Sequence, residues 1–196
     1  MNRSLAFILR LCAWSPFLAF CALTSVLPNG YGADNEGGEP VEENKLKAIV
    51  FVKIMEFMTW PENRLGGPKE TFRVGFFGVE DSLFQTYSQI LGDLKVQSHP
   101  IELVRLKNRD LIPANLHVLF LGENCEDKFS EFLNLASEQG VLLVSGIPQY
   151  RRYGVHLNLL REKNRIVFEM NLTRIRAAGL DASSHILKLA HLVEDP

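Results

Sequence analysis

Leu116-His117-Val118-Leu119-Phe120-Leu121 and Val141-Leu142-Leu143-Val144 are two short apolar runs on either side of a helical pattern. Runs this brief and this apolar read as strands buried on both faces, which is the habit of parallel neighbours in an α/β sheet. Between them, residues 126–138 place Phe129, Phe132, Leu133 and Ala136 on one helical face, and Gly140 stops the helix. His117 lies inside the first run, where a hydrogen-bonded core histidine is expected rather than a ligand.

Working outward, Phe72-Arg73-Val74-Gly75-Phe76-Phe77 is a strand ending at Gly78. Residues 82–91 read as a helix with Asp81 as its N-cap. A short strand around Val96 and another over 101–106 follow. Residues 155–160 and 165–170 form a hairpin through Arg161-Glu162-Lys163-Asn164. Asn171 caps a short helix that ends near Gly179. Ser183 or Ser184 opens a last helix with the stripe Ile186, Leu189, Ala190 and Val193. The order predicts one α/β domain: a mixed, mostly parallel sheet flanked by helices, with a C-terminal β-hairpin and helix.

On the N-terminal side, Lys47 to Pro61 reads as a helix apolar nearly all round and halted at Trp60-Pro61, with Lys53 and Glu56 as its thin polar edge. Such a helix sits deep in a core or buries a second face against another molecule. It is too short and too charged to span a bilayer.

Residues 1–32 carry a basic start, an apolar stretch and the small residues Gly30 and Gly32, the layout of a secretory signal peptide cut after Gly32. Cleavage is favoured over retention as an anchor, and the periplasm is the expected location. Residues 33–43 are acidic and glycine-rich and read as a flexible leader, leaving 44–196 as the domain. Loss of Arg3 and Arg10 lowers the formal net charge of −2 by two further units, so the mature chain has no electrostatic footprint for nucleic acid. Two of the three cysteines leave with the signal, and Cys125 has no partner for an intramolecular disulfide. It is expected to be a buried, idle thiol.

Catalytic and metal-binding constellations are absent from the pattern. The five histidines never occur at the spacing that brings two imidazoles to one metal, and no cofactor is expected. Glu169 and Arg165, four apart on one strand, read as a structural ion pair rather than as a general base with its partner. Two features point to binding instead. Three strands end in glycine, at Gly78, Gly122 and Gly146, and with Glu80 and Asn124 these line a possible ligand crevice at one edge of the sheet; tight strand-to-helix turns are the other reason for glycine there. Ile147-Pro148-Gln149-Tyr150-Arg151-Arg152-Tyr153 interleaves tyrosine with arginine, the residue types that carry protein interfaces. With Trp60, it is the expected partner-binding surface.

The chain also resembles the YfiR family of periplasmic proteins over residues 45–195. The resemblance rests on Lys47-Ala48 with Phe57 and Trp60-Pro61, on Phe72-Arg73-Val74 with Gly78, and on Pro100-Ile101-Glu102. It continues through His117-Val118-Leu119-Phe120, Ile147-Pro148 and Val167-Phe168-Glu169-Met170-Asn171-Leu172. It closes on Ala177-Ala178-Gly179-Leu180, Ser183-Ser184 and Leu187-Lys188-Leu189-Ala190. It implies a non-enzymatic regulator that binds the periplasmic domain of an inner-membrane diguanylate cyclase and represses it. An OmpA-like outer-membrane lipoprotein would relieve that repression, raising cyclic di-GMP and favouring biofilm. Homodimers are also implied. Relatives often carry disulfide cysteines, including one where Leu116 stands here, so redox control does not transfer to this chain. A small-ligand sensor using the glycine-ended crevice is the alternative.

Overall fold

The computed structural model describes residues 40–67, 69–107 and 112–195; the expected signal peptide and most of the expected leader lie outside them. A long helix α1 (Pro40–Met55) leads into β1 (Met58–Thr59) and a short α2 (Glu62–Leu65). Next come β2 (Phe72–Phe77), α3 (Asp81–Leu91), β3 (Lys95–Val96), β4 (His99–Leu106) and β5 (Val118–Leu121). A 3-10 turn (Glu126–Lys128) opens α4 (Phe129–Gln139), followed by β6 (Leu142–Ser145) and a 3-10 helix (Pro148–Tyr153). The hairpin β7 (Leu157–Glu162) and β8 (Arg165–Met170) precedes α5 (Leu172–Ala177), β9 (Asp181–Ala182), α6 (Ser184–Leu187) and β10 (His191–Leu192).

Eight strands form one mixed sheet in the order β10-β8-β7-β6-β5-β2-β4-β3. β4, β2, β5, β6 and β7 run parallel, as expected for the β5–β6 pair, and β8 turns back antiparallel. The register sets Phe76 beside Phe120, whose rings stack at 5.4 Å, and Tyr87 from α3 packs edge-on against both. These belong to the core face covered by α1 and α3; Phe77, Leu121 and Leu143 point to the other face, under Phe129 and Phe132 of α4. β1 and β9 make a small antiparallel pair.

Four local expectations need correction. α1 starts at Pro40, inside the expected leader, where Glu43 pairs with Lys47 and Arg161. It stops at Met55 rather than at Trp60. Gln97 causes the stop from a distant turn: its side-chain amide donates to the carbonyls of Met55 (3.2 Å) and Met58 (2.7 Å), and its backbone N–H meets Glu56. Orphan carbonyls at a helix end must find a donor, and here a tertiary one supplies it.

Asp81 is not the N-cap of α3. Glu80 holds that position without a side-chain cap to the backbone, and Asp81 pairs with Arg105. Finally, α6 is a single turn, because the backbone of 191–193 is taken by the β8 edge, where Val193 N–H donates to Met170 O at 3.0 Å. Asn171 does cap α5 as expected, accepting from Arg174 N–H at 3.0 Å.

Candidate functional site: an arginine-bearing face and a shallow cleft

Within residues 147–153, the expected contact segment, a 3-10 helix runs from Pro148 to Tyr153. Its two tyrosines do structural work. Tyr150 is fully buried; its hydroxyl donates to Gly122 O at 2.8 Å and accepts from Cys125 N–H at 3.1 Å. Burial, the largest influence, pushes that hydroxyl up to about 12. Tyr153 is half-buried and stacks on Phe129 at 5.2 Å. Trp60 is 5% exposed and packs edge-on against Phe72, so it too holds the core. Tyr150 and Trp60 therefore leave the expected contact surface, for the same reason: a large ring buries more favourably than it stays in water.

What this helix offers to solvent is Pro148, Gln149, Arg151 and Arg152, with Ile147 half-buried beside them. Arg151 reaches across to β8, where its Nη1 lies 3.1 Å from Glu169 Oε1. The expected Arg165–Glu169 pair does not form; Arg165 meets Glu162 instead, at 3.6 Å. Residues four apart on a strand share a face but lie too far along it, whereas the 3-10 helix, packed against β7, brings Arg151 within reach.

Glu169 belongs to a polar row that the sequence gave no reason to assemble. The register lines up Ser145, Asn158, Glu169 and His191 across β6, β7, β8 and β10. Asn158 is buried and donates to Ile147 O at 3.0 Å, and Ser145 Oγ accepts Ile147 N–H at 3.2 Å. The row thus anchors the start of the arginine-bearing helix. Its residues are spaced through the sequence, and only strand pairing shows that they share a face.

At the carboxyl ends of β2 and β5, Gly78, Glu80 and Gly122 line a shallow cleft of about 210 Å³ with Asn44, Leu83, Phe120, Glu123 and Ile147. Asn124 and Gly146 are not among its lining. Asn124 is exposed in a left-handed turn (φ +57°), and Gly146 sits against Lys47. The two glycines that do line it are needed by the backbone: a Cβ on Gly122 would lie 2.1 Å from Gly78 O. Cys125 is buried beside this crossing, and burial first, then the Glu126 charge, pushes its thiol up to about 11. Among the described residues, no cluster of three or more His, Cys, Asp or Glu is placed to hold a metal ion.

The model of the YfiR/HmsC-like family matches residues 44–191. The chain belongs to that family. No curated protein matches it. The YfiR/HmsC-like family is regulatory and non-catalytic, and membership makes this chain a periplasmic regulator of diguanylate cyclase signalling. Among the described residues no helix is long and apolar enough to cross a membrane. Several of the YfiR-like motifs also have structural explanations here. Phe72 and Trp60 pack together, Asn171 caps α5, and His117 is bonded at both ring nitrogens.

Proposed function

We propose that the chain is exported by a cleaved leader, residues 1–32, and binds the periplasmic domain of an inner-membrane diguanylate cyclase, holding it inactive. An OmpA-like lipoprotein competes for the regulator and releases the cyclase, so that cyclic di-GMP rises and biofilm is favoured. The family match over 44–191 carries this reading. Because the cyclase's catalytic part lies across the membrane, repression works by binding one conformation of the partner better than the other.

For the contact surface, the exposed Arg151, Arg152 and Gln149 are the residues that support the reading best, with the Arg151–Glu169 pair fixing the geometry. Arginine on a preorganised element is a common energetic centre of interfaces. A homodimer through α1 is supported by its outer stripe, where Leu46 and Ile49 are 49% and 47% exposed and Phe57, just beyond the helix, is 42% exposed.

The test is a titration of the purified protein against purified periplasmic domains of the host's membrane cyclases. Binding to one of them, weakened at least about ten-fold by Arg151→Glu with Arg152→Glu, is expected. Binding to none contradicts the proposal. A second reading, a small-ligand sensor, is favoured by the cleft at Gly78 and Gly122. It predicts a ligand-dependent rise in melting temperature.

A further inference from the structure

His117 sits where three elements of the amino-terminal edge of the sheet meet. Its Nδ1 accepts the backbone N–H of Arg73, the second residue of β2, at 3.0 Å. That nitrogen is therefore bare, so the proton of the neutral ring is on Nε2, which lies 2.8 Å from Arg64 O and donates to it. Arg64 returns the connection: Nη2 donates to Leu116 O at 2.6 Å and Nη1 to Ala114 O at 3.2 Å. One neutral imidazole thus ties the α2 segment to β2 and to the start of β5. The ring is buried and stacks on Phe72 at 4.9 Å.

We propose that His117 is an acid-released latch: on mild acidification a second ring proton breaks its bond to the Arg73 N–H and loosens residues 71–73, at the start of β2, from the start of β5, while Nε2–H keeps Arg64 O. A second ring proton would have to sit on Nδ1, facing the Arg73 N–H it now accepts from. Two donors then oppose each other, and a buried N–H loses its acceptor.

The charges around the ring add to this. From α2 it faces the guanidinium of Arg64, from β2 that of Arg73, and from β4 His99. Glu102 on β4 is the nearby carboxylate, and it is held 2.7 Å from Arg73 Nε and 3.0 Å from Thr71 Oγ1. β6 contributes only the backbone N–H of Leu142, bonded to His117 O.

Burial first, then those cations, holds His117 below the ordinary histidine value of 6.5, against the Arg64 carbonyl, which favours the charged ring. A group lowered in the folded state binds more protons once released. The latch is therefore fully closed above 6.5 and weakens as pH falls below it. For a regulator outside the cytoplasm, acidity of the medium would thereby become an input.

His156 provides an internal control. Its Nδ1 likewise accepts a strand N–H, from Leu143 at 3.2 Å, and it faces Arg174 of α5 and Asp195 of the C-terminal segment. It is pushed down to about 3, by burial and then by Arg174, so in the folded chain it stays neutral across mild acidity.

The experiment is hydrogen exchange by mass spectrometry from about pH 7.5 to about pH 5, corrected for intrinsic rates. The wild type should lose protection in peptides covering 61–73 roughly ten-fold beyond the fall that global stability imposes on β5 and β6. His117→Asn keeps an acceptor oxygen at the Nδ1 position and cannot titrate, so exchange there should follow only the fall shared by β5 and β6. A loss at 61–73 no greater than that in β5 and β6, no loss at all, or the same excess loss in His117→Asn overturns the proposal. Should that variant fail to fold, the wild-type ring is titrated by nitrogen NMR. Its midpoint must then coincide with opening of 61–73, and a different midpoint overturns the latch.

Discussion

Gly122 and Gly78 meet backbone to backbone at the carboxyl edge of the sheet, so closely that a Cβ on Gly122 would lie 2.1 Å from Gly78 O and 2.4 Å from its carbonyl carbon. Two hydrogen bonds lock the crossing, Gly122 N–H to Phe77 O at 2.8 Å and Glu123 N–H to Gly78 O at 2.9 Å. The loops leaving β2 and β5 can pass only without side chains between them.

Gly122→Ala should accordingly cost about 1–3 kcal/mol or more, since the obstruction is main chain and cannot rotate away. Gly67→Ala is the control, because a Cβ there meets nothing within 4 Å. Urea denaturation of both variants checks this, with the midpoint falling for the first and staying within error for the second.

These glycines show how far the sequence could be read. Strand ends at Gly78 and Gly122 were visible, as were the parallel pair β5–β6, the hairpin and the Asn171 cap, because each follows from a local pattern. The end of α1 was not, since Gln97 stops it from a turn forty residues away in the chain. Nor was Glu169's partner, because the reach of Arg151 depends on a 3-10 helix packed against β7. At 147–153 burial divided the residues that composition had grouped together. Tyr150 went to the core and the arginines to solvent.

Tyr87 carries a buried hydroxyl with no hydrogen-bond partner among the described residues, in a cluster with Phe51, Phe76 and Phe120. Burial pushes its acidity far out of reach. Tyr87→Phe keeps the ring and removes the orphan group, so stability should be unchanged or rise by about 1 kcal/mol. A denaturant midpoint below wild type would show that the hydroxyl is bonded after all.

Cys125 should resist a water-borne thiol reagent at neutral pH, being buried with its thiol pushed up to about 11. Labelling is expected to track global unfolding in a urea series. Rapid labelling in native buffer would mean that the crossing of the two glycine loops opens locally.

Global stability should fall as pH drops from 6.5 toward 3, because His156 is buried neutral and the unfolded chain takes up its proton first. Glu43 and Asp195 act lower. Burial alone would raise both, but Lys47 and Arg161 for the first, and Asn171 and Arg174 for the second, bring them below 4.5 and 3.8. Their contribution is complete above those values and lost beneath them, so any fall above about pH 5 belongs to the histidines. Denaturant midpoints across this range check it, and His156→Asn should flatten the upper part.

The regulatory role itself is tested most directly by measuring cyclic di-GMP in cells lacking the protein. Deletion should raise the nucleotide, the wild-type gene should restore it, and Arg151→Glu with Arg152→Glu should fail to do so while remaining folded and exported. A level unchanged by deletion would contradict repression of a diguanylate cyclase.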